Sequence, residues 1–155
     1  LGCSGRFDLM RRIGLDVGLA RIGVALSTGS LALPHSVISN DDQSILKLLD
    51  LAKEVGASVF YVGLPLSLSG SQTDSTRMAI DFAVILSEGE FEVRMVDERL
   101  TSVSAKRALH KAGKNSRQQK PLIDASAASL ILDFAIASER DGNWSGLTLE
   151  AAREY

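Results

Sequence analysis

The sequence predicts an α/β domain in which a three-strand antiparallel meander leads into two parallel strands, the five forming one mixed sheet flanked by helices. Three observations carry this. Residues 12–39 hold three short apolar segments split by glycine-containing turns, the segments after them alternate between helical and strand patterning, and the crossovers between the later strands are helix-length.

The first two strands, Arg12–Val17 and Arg21–Ser27, are joined by Gly18-Leu19-Ala20, short enough for a hairpin, and Leu31–Ser39 follows after Thr28-Gly29-Ser30. Asn40 or Asp41 can cap a helix that places Ile45, Leu48, Leu49, Ala52 and Val55 on one face and stops at Gly56. Ala57–Gly63 reads as a buried strand. A second helix, about Asp74 to Ser87, turns Met78, Phe82, Ile85 and Leu86 to one side, and the strand Phe91–Asp97 comes next. From Thr101 a third helix directs Ala105, Ala108, Leu109 and Ala112 inward and ends at Gly113. The last helix starts near Pro121, which suits a first turn because it has no amide hydrogen to satisfy, with Ile123, Ala127, Leu130, Ile131 and Phe134 as its stripe. After Asp141 no firm structure is expected. Ribonuclease H-like domains are built in this order of elements.

A chain of 155 residues, 45% hydrophobic and 23% charged, fits one ordinary globular domain. Residues 1–10 are expected to be an extension or remnant, 11–140 the domain, and 141–155 a tail. No apolar run approaches the ~20 residues needed to span a bilayer, so no membrane partner is expected. Cys3 is the only cysteine, which excludes an internal disulfide and leaves no Cys/His spacing for zinc. A reducing, cytoplasmic setting is the expectation. The formal net charge of −2 supplies no global attraction to nucleic acid, so any such attraction must be local.

Carboxylates are the chemistry-bearing residues. Asp16 sits in Ile13-Gly14-Leu15-Asp16-Val17-Gly18, where a lone acid inside an apolar strand is costly and invites a cation; the plainer alternative is that it opens the turn at Gly18. Asp97-Glu98-Arg99 ends the last strand, at the sheet edge where open α/β folds form their crevice, and either acid could reach a site there. A solvated strand end with a local ion pair to Arg99 competes with that reading. Asp124, followed by Ala125-Ser126-Ala127-Ala128, stands early in an apolar helix, where a carboxylate also suits the helix dipole. The topology brings these positions to one edge. Carboxylates gathered there would repel without metal, and their hard oxygen donors suit Mg²⁺ or Mn²⁺, two of which about 4 Å apart can serve an in-line phosphoryl displacement.

The segments Gly14-Leu15-Asp16-Val17-Gly18 with Arg21-Ile22-Gly23-Val24-Ala25, Val62-Gly63-Leu64-Pro65-Leu66, Asp97-Glu98-Arg99-Leu100-Thr101-Ser102 and Ile123-Asp124-Ala125-Ser126-Ala127-Ala128 together resemble the YqgF/RuvX family, from about Arg12 to Phe134. Its members are described as pre-16S ribosomal RNA nucleases or Holliday junction resolvase-like proteins. The resemblance implies that Asp16, Glu98 and Asp124 are both the catalytic residues and the metal ligands, that Arg21 is the hairpin arginine, and that Gly63-Leu64-Pro65 is a loop beside the site. It implies a metal-dependent endonuclease acting on structured nucleic acid, with the 5′ end of precursor 16S rRNA as the foremost substrate. Two departures stand out: Thr28 replaces an Asp frequent after the serine, and Ser67-Leu68-Ser69-Gly70-Ser71 replaces a loop usually richer in Asn and acids.

Nucleic-acid contacts are expected from Arg21 and from a stretch that holds Arg99, Lys106, Arg107, Lys111, Lys114, Arg117 and Lys120 with no Asp or Glu between Arg99 and Ile123. It runs from beside Glu98 to beside Asp124, although a solvated helix face would read the same way. Trp144, Tyr61 and Tyr155 form no aromatic series for stacking bases, so backbone and shape recognition is expected. The partners considered are structured RNA, branched DNA and a ribosomal precursor, with the chain as monomer or homodimer. Two other functions compete: a Holliday junction resolvase-like DNA endonuclease, and a non-catalytic nucleic-acid or ribosome-associated binding domain. A phosphate-binding fragment of the actin-like and sugar-kinase superfold, suggested by Asp16-Val17-Gly18 before Gly23, is opposed by length, since that architecture closes two domains around its nucleotide.

Overall fold

The computed structural model describes residues 11–101, 120–140 and 147–154, with the side chains of 28 and 120–125 outside that description. Its strands are β1 (Arg11–Val17), β2 (Arg21–Thr28), β3 (Leu31–Ser39), β4 (Ala57–Leu64) and β5 (Glu92–Asp97). The helices are α1 (Ser44–Val55), α2 (Asp74–Ser87), α3 (Lys120–Arg140) and the short α4 (Leu149–Arg153). The five strands form one sheet in the order β3-β2-β1-β4-β5. The β1–β2 and β2–β3 pairs are antiparallel, and β1–β4 and β4–β5 are parallel. This is the meander followed by two parallel strands that the patterning predicts. The expected third helix from Thr101 to Gly113 lies outside the described residues.

Alternation along β1 sorts the molecule into two layers. Ile13, Leu15 and Val17 point into a core of large side chains that includes Ile22, Val24, Phe60, Leu64, Phe82, Leu86 and Met95 and is covered by residues of α1 and α2. Arg12, Gly14 and Asp16 point the other way. There the buried apolar residues include the alanines Ala25, Ala32, Ala127, Ala128 and Ala135 beside larger side chains such as Tyr61 and Leu132, and α3 covers the sheet. A Cβ built on Gly14 would stand 2.7 Å from the Ala128 carbonyl oxygen and 2.9 Å from Leu132 Cβ. That glycine therefore permits the close approach of α3 to β1.

The helices begin and end for local reasons. α1 stops where Gly56 takes a left-handed φ of 69°, its amide reaching back to the carbonyls of Ala52 and Lys53. Its first turn departs from expectation: Gln43 is the N-cap residue and makes no side-chain capping bond. Asp41 instead accepts from the Gln43 amide, and its own amide donates to Ser44 Oγ. α2 opens with a capping box in which Thr73 and Thr76 satisfy each other's amides. Within α2, Phe82 and Leu86 are buried as expected, whereas Ile85 is half exposed because Ala79 and Ala83 take the core-facing positions. His35 lies within β3, as the expected strand Leu31–Ser39 requires, beside a register shift between Val24 and Ala25 of β2. Residues 147–154 take up structure where no firm element is expected: Leu147 bridges Met95 through two backbone bonds of 3.0 and 2.6 Å, and Thr148 caps α4. This pairing covers part of the outer edge of β5.

Candidate active site

Two sets of contacts fix the direction of α3. Near its end, Glu139 accepts from Arg12 Nε at 2.6 Å at the start of β1, and Tyr61 on β4 donates its hydroxyl to the same carboxylate. Farther toward its start, Ala128 and Leu132 sit on Gly14. The helix thus runs antiparallel to β1, so its early turns extend past Gly14 in the direction of Asp16. Two residues of strand advance about 6.6 Å and four residues of helix about 6 Å, so Asp124, four before Ala128, keeps step with Asp16 along the layer. The side chain of Asp124 lies outside the described residues.

Asp16 is buried at 5% exposure on the α3 face of β1. Its register partner on β2 is Gly23, and Arg21, two residues earlier on β2, shares that face. On the other flank, Leu15 pairs with Val62 of β4, which sets Gly63 beside Asp16. Beyond it, β5 ends at Asp97 and a 3-10 turn runs Glu98–Leu100. Glu98 is also buried, at 4% exposure. Its Oε1 stands 2.6 Å from where a Cβ on Gly63 would be, with Ile131 Cδ1 of α3 at the same distance. Asp16 and Glu98 therefore share the α3 side of the sheet, and Gly63 leaves the room in which the glutamate lies.

The acids of Asp97-Glu98-Arg99 divide into two tasks. Asp97 accepts from the Arg99 amide at 2.9 Å and grips the guanidinium through Nε at 3.1 Å and Nη2 at 2.7 Å. That is the local ion pair weighed from the sequence, and it holds the turn that aims Glu98 inward. Arg99 also lies against Gly70, whose φ of 84° and lack of a Cβ leave space for Nη1. The Ser67–Ser71 turn is thereby packed against the end of β5. Arg99 keeps 29% of its side chain exposed.

Of the expected nucleic-acid contacts, Arg21 and Arg99 stand at this pole. Lys106, Arg107, Lys111, Lys114 and Arg117 lie outside the described residues, and Lys120 opens α3 with its side chain outside them. Gly63 and Leu64 are the last residues of β4, which corrects the expectation of a loop starting at Gly63; the chain leaves the strand only at Pro65. The structural use of Gly63 was missed, and the signal was a glycine inside an apolar strand, which marks a close approach. Among the described residues no group of three His, Cys, Asp or Glu side chains is placed to hold a metal ion. No described helix is long and apolar enough to cross a membrane.

A mixed sheet in the order 3-2-1-4-5, with buried acids where β1 and β5 end and an antiparallel helix across that face, defines a ribonuclease H-like domain. Two solved structures share the fold: Thermus thermophilus RuvC with a Holliday junction substrate, at TM-score 0.56 and 14% identity over 89% of this chain and 99% of that one, and T. thermophilus RuvC by itself, at TM-score 0.53 and 15% identity over 89% and 100%. The chain belongs to the RuvX family, described as Holliday junction resolvase, whose model matches residues 10–138. Relatives named "Putative pre-16S rRNA nuclease" include one from Leifsonia xyli, 42% identical over 83% of this chain and 86% of the relative. Another, from Clavibacter sepedonicus, is 44% identical over 83% and 84%. The chain is thus a member of a nuclease family with a nucleic-acid substrate.

Proposed function

We propose that this chain is a divalent-metal-dependent endonuclease that hydrolyses phosphodiester bonds in structured nucleic acid, and that its task is processing of the 5′ end of precursor 16S rRNA. The observation that carries the proposal is the burial of Asp16 and Glu98 on one face, flanking Gly63, where α3 brings the turn that contains Asp124. Three carboxylates gathered at one pole are a hard-oxygen donor set suited to Mg²⁺ or Mn²⁺. The residues therefore fit the metal, with Asp16, Glu98 and Asp124 as its ligands. Bound there, such ions would stabilise both the attacking and the leaving oxygen of an in-line displacement at phosphorus.

The chain's own residues do the rest. Gly63 keeps the floor between Asp16 and Glu98 open, the Asp97–Arg99 pair fixes the turn that directs Glu98, and Arg21 offers a cation for the phosphate backbone on the Asp16 face. The lysines and arginines between residues 106 and 120 extend that backbone contact. The names of the relatives support rRNA as substrate. A second reading, branched DNA, is favoured by the family's description and by the fold shared with RuvC.

The test is cleavage of an end-labelled precursor 16S 5′ leader and of a four-way DNA junction, each with Mg²⁺, Mn²⁺ or EDTA. Metal-dependent cutting of the RNA is expected, with Asp16→Asn slower by at least about a hundredfold. Equal activity in Asp16→Asn removes the mechanism. Cutting of the junction alone transfers the proposal to DNA.

A further inference from the structure

The most exposed leucines of the described residues gather at one pole. Leu68 is 96% exposed, Leu19 86% and Leu100 62%. Leu19 sits in the turn after β1, just past Asp16; Leu68 in the turn after β4, just past Gly63; Leu100 in the turn after β5, two residues beyond Glu98. These strands are neighbours, so their ends span only about 10 Å. The turns are held rather than loose. Asn40 Nδ2 donates to the Gly18 carbonyl at 2.7 Å, the Gly70 amide donates to the Ser67 carbonyl at 2.8 Å, and Arg99 packs on Gly70. Single exposed leucines are ordinary, but one on each loop of a three-strand edge, around two buried acids, is a patterned apolar rim.

We infer that Leu19, Leu68 and Leu100 take unstacked nucleobases on either side of the scissile phosphate, so that the preferred substrate is a nucleic acid with unpaired nucleotides at the cut rather than a continuous duplex. This rests on the nuclease reading and names the substrate class for the same site. The surroundings of the rim identify its occupant: it is continuous with the acids and bordered by Arg21 and Arg99, the charges a phosphate backbone needs. Apolar wedges of this kind enter base steps and prise them apart, and a substrate already unpaired there needs no unstacking. Leucine does this without aromatic stacking, which is why an aromatic census of the sequence gives no sign of it. The positions also explain the apolar side chain at the tip of an otherwise hydroxyl-rich turn, Ser67-Leu68-Ser69-Gly70-Ser71.

The test measures binding apart from cleavage. Fluorescence anisotropy in EDTA compares a labelled RNA hairpin bearing a single-stranded 5′ extension with a blunt duplex of equal length, for the full chain and for Leu68→Ser, Leu19→Ser and the Leu19→Ser/Leu68→Ser/Leu100→Ser triple variant. Wild type should favour the unpaired RNA. Each single change should weaken that complex about tenfold, and leave the duplex within about twofold. Equal losses on both RNAs, or no preference in wild type, overturn the inference. So does a wild-type dimer in sedimentation that the triple variant dissolves, since the rim would then join two copies. Because no cutting is scored, failure here leaves the Asp16→Asn result standing, and failure of that experiment leaves the binding preference measurable.

Discussion

The α3 face of the sheet has two poles, and they treat buried charge in opposite ways. At one, Arg12 is fully buried against Glu139 and the Tyr61 hydroxyl completes the carboxylate's shell. At the other, Asp16 and Glu98 bring like charges onto one face over Gly63. The first arrangement contains the opposite charge that a buried ion requires, and it ties the end of the helix to β1 and β4. The second gathers oxygen donors of two carboxylates on one face, an arrangement useful for binding a cation. One helix spans both, so the stable pole anchors the element on which the functional pole depends.

The sharpest way to break this contrast is a pair of isosteric changes. Glu98→Gln should lower cleavage by at least about a hundredfold while costing less thermal stability than the change at Glu139, because it alters a carboxylate used for chemistry rather than the partner of a fully buried guanidinium. Glu139→Gln should do the reverse, costing about 3 kcal/mol in urea denaturation because it neutralises the partner of a buried guanidinium, while the folded fraction still cuts. If Glu98→Gln destabilised the protein and Glu139→Gln did not, the assignment of structural and functional poles would be inverted.

A pair of glycines sharpens the same division at smaller amplitude. A Cβ at Gly14 meets the Ala128 backbone oxygen and Leu132 Cβ, neither of which can move without shifting α3, so Gly14→Ala should lose about 2 kcal/mol of stability. A Cβ at Gly63 meets only side-chain ends, Glu98 Oε1 and Ile131 Cδ1. Those can swing aside. Gly63→Ala should therefore stay within about 1 kcal/mol of wild type yet cut roughly tenfold or more slowly, since a displaced carboxylate is misaligned for chemistry. Melting curves beside initial cleavage rates on the RNA substrate separate the two outcomes.

The same division governs how much could be read from the sequence. Strand and helix bounds were legible wherever periodicity and a stop signal agree, as at Gly56, and so was the return of Asp16 and Glu98 to one sheet edge, because topology alone dictates it. The partners of Arg12 were not legible. Glu139 is 127 positions away, and nothing local distinguishes a buried guanidinium from one that opens a strand at the surface. The pairing of Leu147 with Met95 escaped for a similar reason, since a single bridge has no period. Position along the chain did not separate Asp97 from Glu98, and only the family resemblance singled out Glu98; the 3-10 turn supplies the physical reason, with Asp97 facing Arg99 and Glu98 facing Gly63.

The smallest expected effect isolates the hydroxyl at the structural pole. Burial foremost, then the hydrogen bond to Glu139 and that carboxylate's charge, raise the Tyr61 phenol far above its ordinary value near 10. The folded state thus keeps a proton that the unfolded chain releases once the pH passes about 10. Stability from this group is complete below that point and declines as the pH climbs beyond it, because the unfolded state then binds fewer protons. Tyr61→Phe should cost about 1.5 kcal/mol at neutral pH, the worth of a hydrogen bond to a charged acceptor, and should flatten the alkaline decline. Urea denaturation of both proteins from pH 7 to 11 reads the two effects together. A neutral-pH loss with an unaltered alkaline slope would mean that the tyrosine only fills space beside Glu139, and the anchoring at that pole would reduce to the Arg12–Glu139 pair.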